Sequence, residues 1–263
     1  MLYTVSVESQ EEPPIPASLA AAWGRRERPS RGPKPGLSLE RIVEAAVRVA
    51  SGEGLAAVSM ARVAQELGTS TMSLYRYVAA KDELLMLMVD AALGPPPPTA
   101  PEEGWRDALS RWAWSQHERM RRHPWVVRVP ISGPPTTPNQ LAWMESVLWS
   151  LRGTGLAEDE KASVLLLLSG YVRNEATLTA ELMAAGFISD EAMMTYSRLI
   201  ATLTDPERFP ALHALLEAGV FDRADPPEKE FGFGLQRVFD GIEALISSHA
   251  PGSEADRRPR PTS

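Results

Sequence analysis

The chain of 263 residues contains no cysteine, which removes disulfides, zinc fingers and thiol catalysis from consideration. It also lacks a long apolar run. Its most apolar stretch, residues 164–168, is far short of the ~20 residues that a membrane-spanning helix needs. Residues 1–21 have neither a basic start nor a continuous apolar core, so no secretory signal is expected there, and the absence of cysteine fits a reducing compartment. H-E-x-x-H, G-x-S-x-G and the phosphate-binding glycine loop are all missing. Gly232-Phe233-Gly234 is a glycine pair without the third member, and the four histidines have no evident triad partners. An enzyme is therefore not expected, and neither is a cofactor.

Acidic residues outnumber basic ones, 34 to 27, for a net charge of −7. Taken whole, that opposes wholesale nucleic-acid binding. The distribution is uneven, however. Arg25, Arg26, Arg28, Arg31 and Lys34 face a single acid, Glu27, within twelve residues. A basic segment on an acidic body suits a DNA-binding arm; a solubilising tail is the other reading of the same charges.

Periodicity predicts an all-α chain. Residues 1–36, rich in Pro, Glu, Ser and Arg, are read as a disordered N-terminal extension ending in the basic arm. Ser38 can cap a first helix whose apolar face is Leu39, Ile42, Val43, Ala46, Val49 and Ala50, with Gly52 and Gly54 at its end. Ser59 can cap a short second helix, and Thr69 or Ser70 a third that runs through Tyr77. Lys81 starts a connecting helix that reaches Leu93. The prolines at 95–98 stop any helix. The domain boundaries follow: 37–94 for a helix-turn-helix unit with its connecting helix, 95–103 for a Pro-rich linker, 104–249 for a larger helical domain, and 250–263 for a disordered tail. Helices are predicted near 104–122, 138–152, 159–185, 190–203, 207–218 and 228–248. Only residues 126–131 are ambiguous between strand and helix.

Residues 59–77 carry the functional signal. Val63, Leu67 and Leu74 are spaced to face inward between two short helices, and Ala64 is small enough for close crossing. Gly68 stands in the turn, where positive φ is commonly required. With the 38–51 helix completing its core, this is the three-helix unit that presents its second helix to the major groove. The exposed side of that helix carries Thr71, Met72, Ser73, Tyr75, Arg76 and Tyr77. Arg76 can reach guanine or phosphate, Thr71 and Ser73 can bond phosphate or base edges, and a methyl of Met72 or Thr71 can meet thymine. Lys81 points a charge at the same backbone. An ordinary helical hairpin with a glycine turn is the competing reading.

Residues 37–93 resemble the DNA-binding domain of the tetracycline-repressor (TetR) family. The matching residues are Ile42-Val43-Glu44-Ala45-Ala46, Gly54-Leu55, Ser59-Met60-Ala61-Arg62-Val63-Ala64, Leu67-Gly68, Ser73-Leu74-Tyr75-Arg76-Tyr77-Val78 and Lys81-Asp82-Glu83-Leu84-Leu85. The rest resembles the tetracycline-repressor subgroup in helix pattern and length. The resemblance implies a ligand-responsive transcriptional regulator, a repressor released from its operator by a small molecule. It implies a homodimer whose two recognition helices enter successive major grooves. DNA contacts would fall on Met60 and Arg62, on Thr71, Met72, Ser73, Tyr75, Arg76 and Tyr77, and on Lys81. Met60 departs from the small polar residue common at its position. Arg28 and Arg31 of the arm are further candidates, entering a minor groove or tracking phosphates.

Six of the seven tryptophans lie between residues 105 and 149, as core filling or as the walls of a hydrophobic, aromatic effector pocket. The candidate lining is Trp112, Gln116, Trp125, Trp143, Met144, Tyr171 and Asn174. His117 and His123 have no ligand spacing, so no metal site is expected. The family member that binds tetracycline-magnesium has polar and metal-ligating residues about where Trp112, Pro130 and Val147 stand, so the resemblance argues against a tetracycline-metal chelate. The apolar helices near 159–185 and 228–248 are expected to form the dimer interface, as in the family, or else an internal core. The expected partners are thus double-stranded operator DNA, a small-molecule effector and a second copy, with no membrane, in the cytoplasm. A helical small-molecule-binding protein or interaction module without DNA binding is the alternative.

Overall fold

The computed structural model describes residues 15–25, 36–100 and 102–249. These form eleven α-helices and no strand. They divide into two compact units. One is Met1–Ala91 with Ser132–Pro138; the other is Ala92–Ile131 with Asn139–Ser263.

The first unit is organised by short polar caps. Helix α1 is Ala17–Ala22, and α2 is Leu39–Glu53. The Ser38 side chain accepts from the Arg41 amide at 3.3 Å, satisfying one of the free N–H groups at the start of α2. Ile42, Val43, Ala46, Val49 and Ala50 are buried along one stripe. Helix α3, Met60–Glu66, starts from Ser59, whose hydroxyl accepts from the Arg62 amide at 3.1 Å. It ends where Gly68 adopts φ +63, the Gly68 amide bonds Gln65 O and the Thr69 amide bonds Ala64 O. This pair of bonds and the left-handed glycine are the Schellman closure of a helix. Helix α4, Thr71–Tyr75, follows from Ser70, which accepts from the Ser73 amide at 3.3 Å. It stops at Tyr75, two residues before the expected end at Tyr77. Both the Tyr77 and Val78 amides turn back onto Leu74 O there. Helix α5 is Lys81–Leu93. Ile42, Val58, Val63, Leu74, Val78 and Leu84 are fully enclosed.

The expectation that residues 1–36 lack structure is corrected over α1. Ser18 is buried and its hydroxyl donates to the Glu83 carboxylate. Trp23 Nε1 donates to the Thr136 carbonyl at 2.9 Å. Two hydrogen bonds to distant residues hold a segment whose composition alone cannot reveal them. Most of the basic arm, including Arg28 and Arg31, lies outside the described residues.

The second unit contains α6 (Trp105–Arg122), α7 (Pro138–Ser150, its first residue counted with the other unit), α8 (Glu158–Ala184), α9 (Asp190–Leu203), α10 (Pro210–Glu217) and α11 (Pro227–Ser248). Residues 126–131 are no strand: Val126–Arg128 is a single 3₁₀ turn. The long α8 packs along α6 and α11, and α9 packs on α10. Leu109, Trp112, Val147, Leu168, Val172, Phe231, Leu235 and Phe239 fill the core. Phe231 is stacked between His117 of α6 at 4.1 Å and Tyr171 of α8 at 5.5 Å, so one ring of α11 joins all three helices. The two glycines beside it have packing reasons. A Cβ on Gly232 would touch Trp114, and one on Gly234 would collide with the Tyr171 phenol.

Candidate nucleic-acid interface and sensor residues

Helix α4 is anchored by Leu74, which is wholly buried, and turns its other sides out. Met72 is 74% exposed and Tyr75 48%, with Arg76 exposed beside them and Thr71 half-exposed. These four sit at positions i, i+1, i+4 and i+5, one outward face of an α-helix. Arg76 has no hydrogen bond or ion pair among the described residues, so its donors are available to a duplex. Lys81, the first residue of α5, is exposed. Ser73 is half-buried and its hydroxyl lies 3.0 Å from that of Ser70. The Tyr77 hydroxyl is used internally, donating to Leu37 O at 3.0 Å.

Two positions on α3 behave differently from their neighbours on α4. Arg62 is locked between carboxylates: Nε and Nη2 bond Glu53, with Nη2 at 2.5 Å, while Nη1 and Nη2 bond Glu66 at 3.1 Å. These bonds hold the Glu53 carboxyl below its usual pKa and the guanidinium above its own. Arg62 thus spends its donors closing α2 onto α3. Met60 is buried, which removes it from the candidate DNA contacts and explains the departure from a small polar residue.

The sensor candidates separate into two groups. Trp112 Nε1 donates to the Trp143 carbonyl at 2.9 Å, and Trp143 Nε1 donates to Gly94 O at 2.8 Å. Their rings meet edge-on at 5.5 Å, and Gln116 and Trp125 are buried nearby in sequence, with Met144 half-buried on α7. Tyr171 packs against Phe231 of α11. Its hydroxyl donates to Phe231 O at 2.7 Å, and burial, with Glu175 beside it, pushes its pKa up to about 12. Asn174 is exposed on α8. Among the described residues, no three His, Asp or Glu side chains gather as a metal-holding group, and no helix is long and apolar enough to cross a membrane.

Sequence reasoning passed over several features. An open groove of about 450 Å³ runs between the prolines at 95–98 with Thr99 and the Ala142, Glu145, Ser146 and Trp149 side of α7. Arg119 and Arg173 are partly buried cations on α6 and α8, and burial lowers the pKa of each. The signal for Arg119 was present: it lies seven residues after Trp112 and three after Gln116, on one helix face.

A tri-helical unit with a glycine-turned α3–α4 pair and an outward α4 defines a helix-turn-helix DNA-binding regulator. Residues 42–87 match the family model of bacterial regulatory proteins of the tetR family, and residues 97–246 match that of the tetracyclin repressor-like C-terminal domain. The chain belongs to the TetR family and is a DNA-binding transcriptional regulator rather than an enzyme. It is 40% identical over 248 residues to the HTH-type transcriptional repressor DrrR1 of Streptomyces coeruleorubidus, covering 92% of this chain and 90% of that protein. Among solved structures it is similar to apo ActR of Streptomyces coelicolor, at 30% identity and TM-score 0.71, covering 83% of this chain and 100% of that one. It is likewise similar to ActR in complex with actinorhodin, at 28% identity and TM-score 0.69, covering 80% and 98%.

Proposed function

We propose that this chain is a transcriptional repressor that holds operator DNA as a homodimer through α4 and releases it when a small aromatic effector binds the second unit. The observation that carries the reading is the division of α4: Leu74 is fixed in the core while Met72, Tyr75 and Arg76 stand free on the opposite side. The repressor name of DrrR1 and the actinorhodin complex of ActR support repression and effector binding. A regulator of bacterial genes meets its operator in the cytoplasm.

The dimer surface is proposed on α8 and α11. Leu167, Gly170, Asn174 and Leu178 recur at helical spacing on the exposed side of α8, and Phe233 is 63% exposed on α11. The exposed apolar Leu167, Leu178 and Phe233 call for a covering partner, and a second copy supplies two more helices for a four-helix interface. Effector binding shifts the population between two arrangements of the DNA-reading unit, to which the chain connects at α5 and again at Ser132–Pro138. The basic segment that begins at Arg25 adds phosphate contacts.

The test is fluorescence anisotropy of labelled duplex DNA, random and upstream of the chain's own gene, in rising salt and with actinorhodin as first ligand probe. The expected result is binding that weakens steeply with salt, a stronger complex with the upstream duplex, and release of that complex by ligand. Absence of DNA binding at low salt overturns the reading. Neutralising Arg25, Arg28 and Arg31 together should flatten the salt dependence; an unchanged slope removes the arm from the interface.

A further inference from the structure

One face of α6 carries three polar side chains that make no hydrogen bond or ion pair among the described residues. Gln116 is 8% exposed, and its amide makes no hydrogen bond among the described residues. Arg119, one turn on, lies with its guanidinium carbon 5.2 Å from the centre of the Trp143 ring and meets no carboxylate among the described residues. His123 ends the helix, its Nδ1 buried and unbonded and its ring 5.9 Å from Trp125. With Trp112 they stand at i, i+4, i+7 and i+11, a single stripe on an α-helix. Trp112 and Arg119 both touch the Trp143 ring, so the stripe faces α7.

The contrast within the last turn of α6 shows that Arg119 is a special case. Arg121 and Arg122 are both neutralised by Glu118, at 2.9 and 2.8 Å. Arg119 is not. Arg173 of α8 is a second partly buried cation with no carboxylate partner among the described residues. Its Nη2 donates 3.0 Å bonds to Val127 O and Val129 O, holding the turn that follows Trp125. A buried imidazole nitrogen and partly buried guanidinium ions lose water and gain from replacement partners, and cations without a carboxylate favour a negative charge. Burial lowers the pKa of Arg119, Arg173 and His123, in keeping with that deficit.

We propose that this stripe is the polar end of the effector site, and that the effector is an aromatic molecule bearing an ionised oxygen acid, a carboxylate or phenolate. Arg119 receives the anionic oxygen, Gln116 and His123 complete its hydrogen bonds, and the indoles of Trp112, Trp125 and Trp143 form the apolar walls. This deepens, and rests on, the effector-released regulator described above. A guanidinium bond to an anionic oxygen in a partly buried site is strong enough to set ligand choice.

The experiment titrates anthraquinone-2-carboxylate and its neutral carboxamide into the full chain, read by tryptophan fluorescence, with release of the labelled upstream duplex measured in parallel. The acid is expected to bind at least about tenfold more tightly than the amide. Arg119→Gln is expected to erase that ratio, and Arg119→Lys to keep part of it because the charge remains. Thermal melting followed by circular dichroism establishes that each variant is folded. If Arg119→Gln does not fold, the wild-type ratio and Arg119→Lys still decide. Equal binding of acid and amide, with release of DNA by both, overturns the anionic class and leaves the regulator intact. Failure of the acid to bind or to release DNA overturns the aromatic-anion site, and the regulator is then judged by actinorhodin and by DNA binding alone.

Discussion

The Tyr77 hydroxyl donates a 3.0 Å hydrogen bond to the Leu37 carbonyl, forty residues earlier, and so ties the end of the reading hairpin to the start of α2. Tyr77→Phe removes that bond and leaves a part-buried carbonyl unpaired. The expected loss is about 1 kcal/mol of folding stability in urea denaturation. The salt slope of DNA binding should stay the same, since no charge is lost. A changed slope would make Tyr77 a backbone contact instead.

Arg62 and Arg76 should separate stability from DNA reading. Arg62→Ala strips Glu53 of its partner and leaves Glu66 with Arg48 alone, at 3.6 Å, and should lower the melting temperature. Arg76→Ala should leave stability within about 0.5 kcal/mol, as for other free surface residues. It should weaken DNA binding by roughly tenfold and, if it meets phosphate, reduce the salt slope by about one. Calorimetry and anisotropy on the two variants check the separation.

Gly68→Ala tests the turn. Its φ of +63 is costly for a residue with a Cβ, yet no heavy atom lies within 4 Å of where that Cβ would stand. The cost should therefore be backbone strain alone, about 1 kcal/mol. Gly68→Asn should cost less, because Asn enters this region more readily. Chemical denaturation of both variants ranks them.

The proposed dimer face is tested by charge. Leu167→Glu combined with Phe233→Glu places four acids in a closed dimer and should shift sedimentation from dimer to monomer. Leu203→Glu, at a residue 72% exposed on α9, serves as the control and should not. A dimer that survives the double change moves the interface elsewhere.

His117 gives the molecule an acid sensitivity. Burial holds its pKa below the ordinary 6.5, with Arg121 lowering it further and Glu228 and Glu118 pulling the other way. Below pH 6.5 the unfolded chain binds a proton that the folded one resists. Stability should therefore be full above that pH and fall as the pH drops through the folded pKa. Thermal melts from pH 8 to 5 should show this loss, and His117→Phe should flatten it. The His123 imidazole, also lowered by burial, contributes in the same direction and calls for a parallel His123→Gln series.

The sequence made local features legible and long-range ones obscure. Ser38, Ser59 and Ser70 each bond an amide three residues on, so spacing alone locates them. Gly68 and the prolines at 95–98 act through their own backbones. The Arg62–Glu53 pair spans nine residues and two helices, and no periodicity shows that the carboxylate comes to the arginine. Helix α8 is apolar on more than one side, so its pattern does not show that Asn174 turns outward. The α1 hydrogen bonds to Glu83 and Thr136 cross far greater separations within a stretch that composition marks as unstructured. The clustering of tryptophans marks Trp112 and Trp143, which meet edge-on, while the arginines at 121 and 122 hide Arg119 beside them.

The claim that α4 reads a duplex is tested most directly by selecting bound sequences from a random duplex pool. The wild-type chain should enrich two inverted half-sites centred about one helical turn, or a multiple of it, apart. A Thr71→Ala, Arg76→Ala chain that still folds should lose the preference at positions within each half-site. Enrichment of the same sequences by both chains, or of none by the wild type, contradicts it.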